Sequence, residues 1–169
     1  RLLNSAPEHV PQGGLPRVAG IMDEFTTACY APECIYLPLN PGAACQQLTN
    51  FRPDFVFVES AWHGNEGAWT RMVSTLSDEL RQMLEFCRAQ SIPTIFWNKE
   101  DPVHFSSFLA VARLCDLVFT TDIDCVPSYK NALKHDNVYC LPFAAQPLAH
   151  NPIATLERKD AFNFAGSYY

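Results

Sequence analysis

The chain has 169 residues, 48% of them hydrophobic, which is the size and composition of one globular domain with an ordinary core. Its 12 Lys and Arg face 18 Asp and Glu, a formal net charge of -6, and no basic block or stripe occurs, so nucleic acid and anionic membrane are excluded as partners on electrostatic grounds. No apolar run approaches the roughly 18 residues of a membrane span, and the first residues lack a charged region followed by an apolar one, so the sequence predicts a cytoplasmic protein with no transmembrane segment and no export signal.

Residues 1–16 are rich in Pro and Gly without periodicity and read as a linker or the truncated edge of something longer. Val18–Met22 is the first predicted strand, and it ends at the polar run Asp23-Glu24-Phe25-Thr26. Cys34–Leu37 is a weaker strand, closed by the Asn40-Pro41-Gly42 turn, and a short helix over Ala43–Leu48 follows it. Phe55–Val58 is wholly apolar, as buried parallel strands are, and runs into Glu59-Ser60-Ala61-Trp62-His63-Gly64-Asn65.

The clearest helix places Leu76, Leu80, Met83, Leu84 and Cys87 at helical spacing, with Thr75-x-x-Asp78 resembling a capping box. Thr94–Trp97 is β-branched or aromatic and suits a buried strand; it stops abruptly at Asn98-Lys99-Glu100-Asp101. Asp101 followed by Pro102 reads as an N-cap with proline in the first helical turn, ahead of a face formed by Phe105, Phe108, Leu109 and Ala112. Leu117–Thr121 is a further strand ending at Asp122-Ile123-Asp124, Val126, Tyr129 and Leu133 line a short helix, and Val138–Leu141 is the last strand.

The 7 cysteines carry no Cys-x-x-Cys pair and no regular spacing, so they read as reduced thiols and supply no structural metal site. No Gly-x-Gly-x-x-Gly follows the first strand, no Gly-x-x-x-x-Gly-Lys occurs, and no Gly-x-Ser-x-Gly elbow is present, which argues against those routes to NAD, to ATP and to serine hydrolysis. Asp122-Ile123-Asp124 looks like the Asp-x-Asp element that holds a divalent metal in many nucleotide-sugar transferases, while Asp124 is equally placed to cap the next helix.

Strands separated by helices, without hairpin turns, predict an α/β, Rossmann-like, mostly parallel sheet flanked by helices. Right-handed crossovers place the carboxyl ends of successive strands along one edge, where ligands bind in open α/β sheets. That rim gathers Asp23 and Glu24, then Glu59, Trp62 and His63, then Trp97, Asn98, Lys99, Glu100 and His104, and finally Thr120, Thr121 and Asp122. Carboxylates beside imidazoles and indoles suit general-base work on a hydroxyl and stacking against a sugar ring, although Trp62 and Trp97 also fit a core and a single His a structural hydrogen bond.

Three long runs, Val18–Thr26, Pro53–Trp62 and Ile92–Phe105, resemble the N-terminal part of CgeB-like (spore-maturation protein-like) glycosyltransferases, and Phe119–Asp122, Leu141–Pro147, His150–Ile153 and Phe164–Tyr169 extend the likeness from about residue 17 onward. The resemblance implies the N-terminal half of a GT-B architecture, with residues 17–153 as the acceptor-side domain and residues 154–169 as a linker and the first strand of a C-terminal, donor-binding domain. It implies sugar transfer from a nucleotide-sugar donor to a saccharide or other hydroxyl acceptor in bacterial surface-polysaccharide or spore-coat biosynthesis, with no metal and no cofactor. By their placement on the rim, Glu59 and Glu24 lead as general-base candidates, followed by His63 and His104. Asn98 and Lys99 orient the acceptor or neutralise phosphate, Trp62 and Trp97 stack on a sugar, and Gly166, Ser167 and Tyr168 line the donor side of the cleft. Residues 1–169 by themselves are then expected neither to bind a nucleotide-sugar tightly nor to transfer it. A non-catalytic ligand-binding or protein-interaction module of a polysaccharide assembly protein is the other reading.

Overall fold

The computed structural model describes residues 14–150. Six strands, β1 (Arg17–Ile21), β2 (Ile35–Pro38), β3 (Phe55–Glu59), β4 (Thr94–Asn98), β5 (Leu117–Thr120) and β6 (Val138–Cys140), form one sheet in the order β2-β1-β3-β4-β5-β6, and every pairing is parallel. Five helices connect them: α1 (Glu24–Tyr30), α2 (Ala44–Phe51), α3 (Asp78–Ala89), α4 (Phe105–Ala112) and α5 (Val126–Leu133). The molecule is thus a Rossmann-like α/β domain, and no helix among the described residues is long and apolar enough to cross a membrane.

Side chains alternate across a strand, so the ladder register sorts the sheet into two faces. Ala19, Ile21, Val56, Val58, Phe96, Val118 and Val138 share one face and pack with Leu48 of α2, Leu80 and Met83 of α3, Phe108 of α4 and Tyr129 of α5 in a single buried core. The opposite face carries Gly20, Phe57, Glu59, Ile95, Trp97 and Phe119, and there the covering helix is α1, whose Tyr30 ring lies 5.9 Å from Phe57 and 5.8 Å from Trp97. Right-handed crossovers explain the division, because β1-α1-β2 runs toward one end of the sheet and every later connection toward the other.

Three local expectations are corrected. The cap of α3 is Ser77, whose hydroxyl accepts from Leu80 N at 3.3 Å. Leu76 has φ +49, which no helix passes through, and Thr75 donates its hydroxyl to Arg71 O at 2.9 Å, so the capping box at Thr75 does not form. Asp101 caps nothing: α4 begins at Phe105, and the Asp101 carboxylate is taken by Asn98, Thr120 and Tyr129. Before α5, the capping carboxylate is that of Asp122, which accepts from Asp124 N at 2.9 Å. The helix α1 was not foreseen at all; its seven residues include the β-branched pair Thr26-Thr27, and burial of Thr26 and Cys29 against the sheet outweighs their weak helix propensity.

Candidate functional site

The strand order changes direction between β1 and β3, and the crevice outside the carboxyl ends at such a switch point is where open α/β sheets bind ligands. Four sequence-predicted residues meet there. Asp23 follows β1, Glu59 ends β3 and Lys99 follows β4; Lys99 Nζ lies 3.2 Å from Asp23 Oδ2 and 2.9 Å from Glu59 Oε1, with Glu100 Oε1 at 3.4 Å.

The backbone fixes this cluster from several sides. Asp23 accepts N–H groups from Trp62 (3.3 Å), His63 (3.2 Å) and Gly64 (2.7 Å), so the loop after β3 is folded around the carboxylate that follows β1. Gly64 makes that approach at φ +55, and a Cβ there would stand 2.9 Å from both Ile21 Cγ2 and Trp69 Cβ. Glu59 Oε2 accepts from Asp23 N at 2.8 Å, and Lys99 N donates to Ser60 Oγ at 2.9 Å. Asn65 completes the support. Its side chain donates to Gly20 O and Leu39 O and accepts from Met22 N, tying the ends of β1 and β2 to the same loop.

Burial differs sharply within the cluster. Glu59 is 0% exposed, whereas the side chains of Lys99 and Asp23 are 15% and 18% exposed and form its open edge. Burial pushes the Glu59 carboxyl above its ordinary pKa, against the opposing pull of Lys99. Burial acts the same way on Asp23, but the Gly64 N–H and the Lys99 ammonium outweigh it and hold that carboxyl below its usual value. Burial disfavours the Lys99 ammonium, yet Glu59 and Asp23 more than compensate and its pKa is raised, so it stays charged. Glu59 is thus held through both oxygens, Oε1 by the Lys99 ammonium at 2.9 Å and Oε2 by the Asp23 N–H.

A second polar network lies on the other face of the same rim. Asn98 Nδ2 donates to Asp101 Oδ1 and Tyr129 OH, both at 2.8 Å, and Thr120 Oγ1 donates to Asp101 Oδ2 at 2.6 Å. Asn98 and Thr120 are fully buried and engaged with one another through Asp101, so they hold the turn after β4 and have no side-chain surface for substrate. Trp97 is corrected likewise: it is 1% exposed, and its indole N–H donates to Leu141 O at 2.9 Å, so it is a core aromatic with no face free for a sugar.

The remaining predicted residues scatter around the rim. Trp62 is half-buried, edge-on to His104 at 4.9 Å and to Phe108 at 5.2 Å, which seats His104 against the core. His63 and Glu24 are exposed, and Glu24 makes no ion pair among the described residues. Thr121 and Asp122 are half-buried beside β5, away from Asp23, and Asp122 is occupied as a cap. Lys99 is already shared by three carboxylates and is not free to neutralise phosphate. Gly166, Ser167 and Tyr168 lie outside the described residues. Ser60 and Asn65 were not singled out as site residues although they stand in the loop after β3, Tyr129 was read only as part of a helix face, and Asp101 was read as a helix cap.

No family model, no curated protein and no solved structure matches the chain.

Proposed function

We propose that the chain is the acceptor-side Rossmann-like domain of a glycosyltransferase that moves a sugar from a nucleotide-sugar donor to a hydroxyl acceptor in bacterial surface-polysaccharide or spore-coat biosynthesis. The observation that carries this reading is the Asp23–Lys99–Glu59 cluster at the sheet's switch point, joined to the sequence resemblance. Glu59 is the general base: burial raises its pKa, which makes the carboxylate a stronger proton acceptor for a hydroxyl. Lys99 keeps that carboxylate oriented and steadies the negative charge that grows on the acceptor oxygen as it attacks. Asp23, held by three backbone N–H groups, fixes Lys99 from the other side. Asp23 and Lys99 form the exposed edge, and the acceptor approaches Glu59 from that side.

The donor half of the site belongs to the C-terminal domain that the resemblance calls for. One observation favours the non-catalytic module instead: among the described residues α1 alone covers the face bearing Phe55, Ile95, Leu117 and Phe119, which are half-buried, and Tyr139, which is exposed. Incubating the protein that carries this chain with nucleotide-sugars and hydroxyl acceptors separates the two. Transfer, or slow donor hydrolysis, supports the enzyme; complete inactivity with retained sugar binding supports the module.

A further inference from the structure

Neither predicted tryptophan offers an open ring to a sugar: Trp97 is buried, and Trp62 is taken edge-on by His104 and Phe108. Two phenylalanines outside the predicted set stand open instead. Phe25, two residues beyond Asp23 in the first turn of α1, is 51% exposed, and Phe143, in the segment after β6, is 53% exposed. Their rings meet edge to face, with centroids 6.0 Å apart and an interplanar angle of 68°. Exposed apolar side chains scattered singly are ordinary, whereas a contacting aromatic pair next to a candidate site calls for a role.

The pair is built on buried anchors. Trp97 donates its indole N–H to Leu141 O, and the Phe143 ring lies 5.4 Å from the Trp97 ring. Gln146 is 2% exposed, and its Nε2 donates to Cys29 O at 2.9 Å and to Glu33 Oε1 at 3.0 Å, which fastens the segment after β6 to the far end of α1. His150 accepts the Gln146 N–H at Nδ1, at 2.9 Å, and its ring lies 6.1 Å from that of Phe25. In a neutral imidazole an accepting Nδ1 leaves the proton on Nε2, so the exposed His150 brings a donor to the rings. Glu24, the exposed neighbour of Phe25 in the chain, brings an acceptor and makes no ion pair among the described residues.

We propose that Phe25 and Phe143 form the platform on which a sugar ring of the acceptor stacks, with His150 and Glu24 meeting hydroxyls at its edge. The inference rests on the acceptor-site reading above and assigns the stacking surface which that reading lacks. A pyranose has an apolar face of C–H groups ringed by hydroxyls that both donate and accept, so it matches an aromatic surface bordered by one donor and one acceptor. An extended apolar partner matches poorly, because the patch is two rings wide and adjoins the Asp23 carboxylate. The platform is continuous with the switch-point cluster: Asp23 leads directly into the turn that carries Phe25 and donates its N–H to Glu59 Oε2. Its anchors at Gln146 and Leu141 hold it in place before a ligand arrives, which lowers the ordering cost of binding.

Titrations of the chain with glucose, galactose, mannose, N-acetylglucosamine and cyclohexanol, followed by amide chemical shifts, test it. At least one sugar is expected to shift the amides of Phe25, Phe143 and His150 together with that of Asp23, and to bind more tightly than cyclohexanol. Phe25→Leu and Phe143→Leu, which keep apolar bulk and lose the ring, should weaken that sugar about fivefold. Phe143→Tyr, which keeps the ring, should bind it as the parent chain does. Shifts confined to Asp23, Glu59 and Lys99, or folded leucine variants of unaltered affinity, overturn the platform and leave the acceptor reading standing. Tighter binding of cyclohexanol than of every sugar overturns the platform too, since the rings then serve an apolar partner. Failure of every sugar to bind overturns both.

Discussion

Lys99 and Glu59 leave adjacent parallel strands and meet at 2.9 Å, one almost enclosed and the other fully buried, at the point where the sheet reverses its winding direction. A buried carboxylate is tolerable only with its countercharge, so the pair is a unit. Replacing Lys99 by Met, which keeps the stem and removes the charge, should destabilise the fold by on the order of 3 kcal/mol, and Glu59→Gln in the same background should restore part of the loss. Urea unfolding of the two single variants and the double variant measures this; an additive pair would mean that the contact carries no coupling.

The pH dependence of stability has two opposed parts. Asp23 has a lowered folded pKa, so its contribution is complete above its unfolded value of about 4 and is lost as pH falls through the lower folded value. Glu59 has a raised folded pKa, so below its unfolded value it costs nothing, and stability is lost as pH rises from there through the folded value. Glu59→Gln should therefore remove a decline that begins near pH 4 to 5 and leave the acid limb of Asp23 in place. Thermal midpoints across pH 3 to 8 read both limbs.

The network on the opposite face should behave as structure alone. Thr120→Val removes a 2.6 Å hydrogen bond and leaves Asp101 Oδ2 without it, at a cost of about 1 to 3 kcal/mol. Affinity for a sugar at Asp23 and Glu59 should be unchanged once the folded fraction is accounted for. A variant of undiminished stability would show that Asp101 finds another partner.

Gly64 links backbone conformation to the cluster. Gly64→Ala adds a Cβ into 2.9 Å contacts with Ile21 and Trp69 at a positive φ, so a loss on the order of 2 kcal/mol is expected, together with weaker ligand binding as the N–H on Asp23 shifts. Chemical denaturation and a sugar titration of the variant give the two numbers separately.

The central strands were easily read from the sequence because each is a short apolar run cut off by polar residues; Phe55–Glu59 and Thr94–Asn98 match expectation to within one residue. The helix α3 was equally plain from Leu80, Met83, Leu84 and Cys87. The division of the rim into two networks was not seen, although period-2 alternation contains it: Glu59 and Trp97 point to one face, Asn98 and Thr120 to the other. Burial of Trp97 and Glu59 under α1 was hidden because α1 has no sequence signature of its own. Asp101 was misassigned because an Asp-Pro pair before an apolar run has the form of a cap, and the partners that claim it, Thr120 and Tyr129, are distant in sequence.

The central claim is that Glu59 is the base of a sugar transfer to a hydroxyl. Its most direct test is the turnover of Glu59→Gln in the protein that carries this chain, measured beside its melting temperature. Loss of about 100- to 10,000-fold in kcat, with the folded state retained, is the predicted result. Near-normal turnover by a folded variant would contradict it.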